Sequence, residues 1–286
     1  MELITDPPQA AFWSASQRMA GNRVGLVPTM GALHAGHVAL VHRALADSDR
    51  VMCSIFVNPL QFNDPADLAR YPRQLEQDLA VLGEAGCHAV FAPQASAMWA
   101  DFSPRAYDLG GLDNRWEGPM RPGHFQGVAN VVERLFHYAR PDTAFFGEKD
   151  RQQLTIIHHL VHSLLWPEKI VGCPTMREPD GLAMSSRNAL LSKADRAIAP
   201  VLYEALLAIR SAAASGSTKE AIAQGQAVLA SRAEVQVEYL AIVRAHDLEP
   251  LTELHNDVEA VALVAARLGG IRLIDNIALG RAEARA

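Results

Sequence analysis

Basic residues are in short supply: 26 Lys plus Arg stand against 32 Asp plus Glu, a formal net charge of −6. Affinity for nucleic acid comes largely from a basic face that neutralises phosphates, so no nucleic-acid partner is expected. Cysteine is scarcer still. Cys53, Cys87 and Cys173 are odd in number and widely spaced, which suggests neither a disulfide framework nor a CxxC zinc clip. Cys53 falls in the apolar run 51–57, where a buried free thiol is expected. Long apolar runs are missing too. A membrane span needs ~18 apolar residues, and the longest candidate, residues 258–266, is about half that and reads as a strand. The opening MELITDPPQAAFW has no charged segment followed by an apolar core and a small-residue cleavage site. A membrane partner is therefore not expected, and a cytoplasmic location is. The common phosphate cradles, GxGxxG and GxxxxGK followed by Ser or Thr, are absent, so any nucleotide must be held another way.

What remains is ordinary for a globular enzyme. The chain has 286 residues, 49% hydrophobic and 20% charged, which argues against global disorder. At about 100–200 residues per domain, that length allows one large domain or two modest ones. Residues 1–175 alternate apolar runs with amphipathic stretches. Strands are expected at 23–27 (RVGLV), 51–57 (VMCSIFV), 89–92 (AVFA), 143–146 (TAFF) and 169–171 (KIV). Helices are expected at 37–46, 75–83, 128–139 and 152–165. Continuous apolar strands separated by helices indicate a parallel sheet covered on both faces. This is the doubly wound, Rossmann-like α/β pattern, which binds ligands at the carboxyl ends of its strands. From 176 to 286 the pattern changes to a smaller α+β domain. It has a long helical run 193–214, another at 219–230, and a half-buried strand at 235–243. Two further strands, 260–265 and 272–274, flank the turn Gly269-Gly270.

The most informative segment is Val27-Pro28-Thr29-Met30-Gly31-Ala-Leu-His34-Ala-Gly36-His37, which follows a strand and precedes a helix. Gly31 and Gly36 permit a tight turn and close approach to a bound group. The start of the helix offers unpaired N–H groups and a partial positive charge, both suited to phosphate. His34 and His37, three apart, project to one side. Imidazole N–H groups there can stabilise charge developing on a triphosphate. HxxH alone is weak, and a zinc site would want a third ligand that nothing nominates.

HxGH after a first strand resembles the signature of the nucleotidylyltransferase superfamily, and Met184-Ser185-Ser186-Arg187 resembles its second, distant motif. The fuller pattern resembles the pantothenate synthetase family. It covers residues 28–37, Phe56-Val-Asn58-Pro-Leu-Gln61-Phe, Tyr71-Pro-Arg73, Arg121-Pro-Gly-His124-Phe-Gln-Gly, Phe145-Phe-Gly147-Glu148-Lys149-Asp150-Arg-Gln-Gln153 and residues 177–188. The C-terminal third resembles it more loosely, through Val237-Glu-Tyr239 and Arg272-Leu-Ile-Asp275-Asn.

The resemblance implies ATP-dependent ligation of pantoate and β-alanine through a pantoyl adenylate, with Mg²⁺, in a cytoplasmic homodimer. It makes residues 1–175 the catalytic domain binding ATP and pantoate, and 176–286 a smaller domain closing over the site. It implies that Pro28, Thr29, Met30, Gly31, His34, Gly36 and His37 line the ATP site. Gly147, Glu148, Lys149 and Asp150 form a second wall, and Met176, Met184, Ser185, Ser186 and Arg187 complete the nucleotide contacts. His34, His37, Lys149 and Arg187 form the catalytic electrostatic set. Gln61 and Gln153 grip pantoate, and Asn58 assists at the β-alanine end. Asp78 is the expected metal neighbour, although Gln77 stands where the family commonly has a second acid. Arg151 departs from the usual aromatic residue, with no consequence assigned. Arg121 and His124 can be turn residues or ligand contacts. His158, His159 and His162 fit a helix surface better than a metal site. The rival readings are another adenylyltransferase of the superfamily and a non-catalytic ATP binder.

Overall fold

Apolar runs without polar alternation have no face suited to water, and here they become strands buried on both sides. The structure, a computed structural model, describes residues 1–63, 65–255 and 257–280. By packing it divides into one unit of Met1–Glu148 with Gln152–Pro174 and a second of Lys149–Arg151 with the chain from Thr175.

Along the first stretch run β1 (Glu2–Ile4), α1 (Pro7–Met19), β2 (Val24–Thr29), α2 (Ala35–Asp47), β3 (Arg50–Ile55), α3 (Pro65–Arg70) and α4 (Leu75–Glu84). Then come β4 (Ala89–Phe91), α5 (Ala95–Met98), α6 (Glu117–Met120), α7 (His124–Ala139), β5 (Thr143–Gly147), α8 (Arg151–Ser163) and β6 (Lys169–Cys173). The strands form one sheet in the order β1-β4-β3-β2-β5-β6, and every neighbouring pair is parallel. The chain winds outward from β2 through β3 to β4 and, on the other side, through β5 to β6. The winding reverses between β2 and β5, and doubly wound sheets bind ligands outside the carboxyl ends at such a point.

Successive side chains of a strand point to opposite faces, and that alternation feeds two cores. Leu26, Met52, Phe91 and Phe146 join one apolar cluster with α1 and α7. Their neighbours Val27, Cys53, Val90 and Phe145 join the other, with Val41 and Ala44 of α2 and Leu82 of α4. Cys53 is fully buried there, as expected from its run. The five expected strands are all present. The edge strand β1 and helix α1 were not expected: three residues are too few to show a period, and α1 opens on Pro7-Pro8, which reads as a breaker although proline suits a first helical turn.

The second unit holds α9 (Lys193–Ile198), α10 (Val201–Ala212), α11 (Thr218–Ala230) and the antiparallel sheet β7 (Gln236–Arg244), β8 (Ala260–Leu268), β9 (Ile271–Ala278) in that order. The helical run expected over 193–214 is two helices, because Pro200 has no N–H to continue the ladder and instead caps α10. The strand expected to alternate at 235–243 does not. Its register shifts between Val237 and Tyr239; Gln236 and Val237 are exposed, the next three residues half-buried, and only Ala241, Ile242 and Val243 buried. Gly269 and Gly270, both left-handed with φ of 56° and 80°, make the β8–β9 turn. The sheet buries Ala262 and Val264 with Leu202, Leu206 and Ile209 of α10. Among the described residues no helix is long and apolar enough to cross a membrane.

Helices α10 and α11 meet at Gly225, where an added Cβ would lie 2.7 Å from Ile209 Cγ1 and 3.2 Å from the Ala205 carbonyl oxygen. Helix propensity favours alanine over glycine by about 1 kcal/mol, whereas overpacking a tight core typically costs about 1–3 kcal/mol. The clash should win. Gly225→Ala should therefore lower the denaturant midpoint with little change in slope, and an unchanged or higher midpoint would show that α10 simply gives way.

Candidate active site

The turn leaving β2 is built from backbone groups that need partners. Thr29 closes the strand by donating its hydroxyl to the Ser54 carbonyl at 2.6 Å and accepting the Gly31 N–H at 3.2 Å. Gly31 and Ala32 then turn left-handed, with φ of 80° and 52°. Only glycine takes this conformation freely, so Ala32 must be held. Asp78 holds it: one carboxylate oxygen accepts the Ala32 N–H at 3.0 Å and the other accepts the Leu33 N–H at 2.8 Å. Asp78 is 1% exposed, while Glu76 and Gln77 beside it face solvent. Asp78, expected as a metal neighbour, is engaged by the backbone through both oxygens. Among the described residues no group of three or more His, Cys, Asp or Glu side chains could hold a metal ion.

After the turn the two histidines cap α2. His34 Nδ1 accepts the Gly36 N–H at 3.1 Å, and His37 Nδ1 accepts the His34 N–H at 3.3 Å, a reciprocal capping box. Their rings lie 4.1 Å apart. A neutral imidazole that accepts at Nδ1 carries its proton on Nε2, so both rings direct an Nε2–H donor away from the backbone they cap. These donors sit at the positive end of α2 and at the sheet's reversal point. Nothing lies within 4 Å of a Cβ built on Gly147, at the carboxyl end of β5.

The same unit gathers the expected amides. Asn58 caps the 3₁₀ turn Pro59–Gln61 by accepting the Leu60 N–H at 3.1 Å, and it donates to the Gly127 carbonyl at 2.9 Å and to Gln61 Oε1 at 3.1 Å. Asn58, expected at the β-alanine end, is wholly buried and bonded directly to Gln61. The Gln61 Nε2 donates to Met30 Sδ at 2.8 Å, joining the amides to the turn after β2. Gln153 is half-buried on α8, whereas its neighbour Gln152 is buried and bonded to the backbone of Leu112, Arg115 and Glu117. Of the helix histidines, His158 and His162 are exposed and His159 contacts the Asp108 carbonyl.

Lys149 and Asp150 pack with the second unit. Asn276 of β9 donates its amide to the Lys149 carbonyl at 2.9 Å. Its neighbour Asp275 grips Arg177 through two bonds of 2.6 and 3.0 Å, and Arg177 also donates to the Gly181 carbonyl while lying 3.7 Å over the Tyr203 ring. Arg177 thereby anchors a hairpin whose strands bring Met176 and Met184 into register, the Met184 N–H reaching the Met176 carbonyl at 2.9 Å. The hairpin delivers Ser185, whose oxygen accepts the Arg187 N–H at 3.2 Å. Lys149, Ser185, Arg187 and Arg272 line one small cavity of this unit.

The family comparison decides between the readings. A family model described as pantoate-beta-alanine ligase matches residues 2–278. The chain belongs to that family. Curated relatives named pantothenate synthetase include one from Porphyromonas gingivalis, 44% identical over 97% of this chain and 99% of its own, and one from Thermus thermophilus, 50% identical over 89% and 92%. The solved Thermus thermophilus structure superposes with a TM-score of 0.89 at 46% identity, covering 98% of this chain and 100% of that one. A Francisella tularensis pantoate-beta-alanine ligase, described as complexed with beta-gamma ATP and beta-alanine, superposes at 0.77 with 33% identity over 98% of each. The family's six-stranded parallel sheet and small antiparallel sheet are both present. Family membership makes the chain a ligase. Asp275, Asn276 and Gly127 carry no role in the sequence, because each meets a group far away in the chain and no spacing reveals that.

Two tests follow from these contacts. In Asp78→Asn an amide NH₂ faces one of the two N–H donors, and a buried donor left unpaired costs about 1–3 kcal/mol. Unfolding midpoint and nucleotide affinity should both fall, and an unaltered affinity would show that the turn stays ordered without the carboxylate. Arg177→Ala strands a buried carboxylate, which should cost about 3–5 kcal/mol near neutral pH. Burial pushes the Asp275 carboxyl up, and Arg177 is the chief opposing influence. A raised folded-state pKa contributes stability below the unfolded pKa, and that contribution is lost as pH rises through the folded one. The variant should therefore be least handicapped near pH 4 and most handicapped at neutral pH, relative to wild type, in parallel denaturant titrations. A handicap that grows on acidification would contradict this account of Asp275.

Proposed function

We propose that the protein ligates pantoate to β-alanine with ATP, through a pantoyl adenylate, releasing pyrophosphate and AMP. The observation that carries this reading is the histidine pair capping α2 at the sheet's reversal point, both rings offering Nε2–H donors to an anion. Triphosphate binds along Pro28, Thr29, Met30, Gly31, His34, Gly36 and His37; Mg²⁺ accompanying it would be held mainly by phosphate oxygens and water and would offset phosphate charge. Gly147, Glu148, Lys149, Asp150, Met176 and the run Met184, Ser185, Ser186, Arg187 supply the remaining nucleotide contacts.

The pantoate carboxylate attacks the α-phosphorus, and the bond to the bridging oxygen of pyrophosphate breaks. Negative charge builds on the leaving oxygens, where His34, His37, Lys149 and Arg187 stabilise it; fixed donors of this kind are the largest single source of rate in many such transfers. Gln61 and Gln153 hold the hydroxyls and carboxylate of pantoate in line, which turns a collision of two anions into a positioned displacement. The β-alanine amine then attacks the acyl carbon and AMP departs, carrying the oxygen that was the poor leaving group of the free acid. No side-chain nucleophile takes part. A cytoplasmic homodimer is the setting implied by the family resemblance.

The half-reaction gives the test. Labelled pyrophosphate should exchange into ATP when pantoate is present and β-alanine absent, and AMP should be the nucleotide product once the amine is added. Formation of ADP, or exchange that ignores pantoate, would overturn the mechanism. His37→Asn keeps an acceptor for the His34 N–H while removing the Nε2 donor, so exchange should drop by about 10²–10³ with the fold intact. Near wild-type exchange in that variant would remove His37 from the phosphate site.

A further inference from the structure

Sequence spacing left His124 between turn residue and ligand contact. It is 5% exposed and begins α7, with its ring nitrogen Nδ1 2.8 Å from the main-chain carbonyl of Gln61. A carbonyl can only accept, so Nδ1 must carry the proton, the opposite tautomer to His34 and His37. One turn further along α7 stands Gly127. A Cβ there would fall on the Leu60 carbonyl and within 2.6 Å of the Gln61 nitrogen. Backbone does not yield as a flexible side chain does, so only glycine lets the 3₁₀ turn Pro59–Gln61 rest against the helix.

The polarity of the amides follows from these two contacts. The Leu60 N–H faces Asn58 and requires an acceptor, which fixes the Asn58 oxygen on that side. The Asn58 nitrogen must then face the Gly127 carbonyl and Gln61. Gln61 has to answer with its oxygen, which turns its Nε2 toward Met30 and the turn after β2. The thioether of Met30 is a weak acceptor, so a hydroxyl or carboxylate oxygen of a substrate can displace it at little cost. An amide that can in principle offer either polarity is thereby committed to donating.

We infer that His124 and Gly127 are positioning residues that act through Gln61, fixing its backbone and, with Asn58, presenting its amide to pantoate as a donor only. The inference rests on the proposed contact between Gln61 and pantoate. His124 itself does not touch the reacting atoms. Its removal should leave ATP handling alone and loosen the hold on pantoate.

The experiment is a double-mutant cycle on the full-length protein, reading KM for pantoate and for ATP from AMP formation. His124→Ala should raise the pantoate KM about tenfold, on the scale of one lost hydrogen bond, and leave the ATP KM within about twofold. His124→Asn, whose amide nitrogen can reach the Gln61 carbonyl, should recover most of the loss. In a Gln61→Ala background, His124→Ala should add less than about twofold, because residues acting as a unit are not additive. Full additivity, an equal rise in the ATP KM, or no advantage of asparagine over alanine would overturn the inference while leaving the reading of Gln61 in place. A Gln61→Ala protein with an unaltered pantoate KM would overturn the reading of Gln61 and this inference together. Thermal melts of each variant separate a local effect from a general loss of folded protein.

Discussion

Two backbone N–H groups, on Ala32 and Leu33, turn inward where the chain leaves β2, and the Asp78 carboxylate receives both. Without it they would be buried donors with no acceptor, each carrying a penalty of about 1–3 kcal/mol. Ala32 would also have no reason to remain at a positive φ that its Cβ disfavours. The position of His34 follows from that turn, as does the start of α2, and so does the direction in which both imidazoles present their protons. A single side chain on α4 thus governs the geometry on which the proposed phosphate chemistry depends. It lies 46 and 45 residues from the groups it binds, so the turn cannot form as a local motif before α4 packs.

Much of the first unit was legible because a covered parallel sheet leaves a strong mark. Runs such as 51–57 and 143–146 have no polar alternation, and helices separate them, which admits few other arrangements. Boundaries shifted by a residue or two, as at β6, which continues to Cys173. The second unit was harder to read. The run 193–214 keeps a helical composition across Pro200, and only the missing N–H divides it. The strand at 235–243 alternates in sequence, but the register shift near Val237 removes the alternation from space.

The site divides along the same line. His34, His37, Lys149 and Arg187 announce themselves by charge, spacing and family motif. Asp78 and Asn58 stand out in sequence by their polarity, but their bonds to the backbone do not, since a carboxylate or amide in sequence looks the same whether it faces ligand or backbone. Burial and the identity of the facing group decide the matter, and both belong to tertiary structure. Gly127 shows the limit most plainly. Its role is to have no side chain where another segment's backbone passes, and nothing in its own neighbourhood records that passage.

The bond from Asn276 to the Lys149 carbonyl spans 127 positions of the chain. During synthesis at about 5–20 residues per second, Lys149 leaves the ribosome several seconds before the amide that fixes its backbone has been made. The helix-capping histidines and the parallel sheet are already on hand by then. The lysine is not, because its scaffold, β9, emerges long after it. A chain that stops short of β9 therefore carries every residue of the proposed phosphate site and still lacks the means to set one of its cations in place.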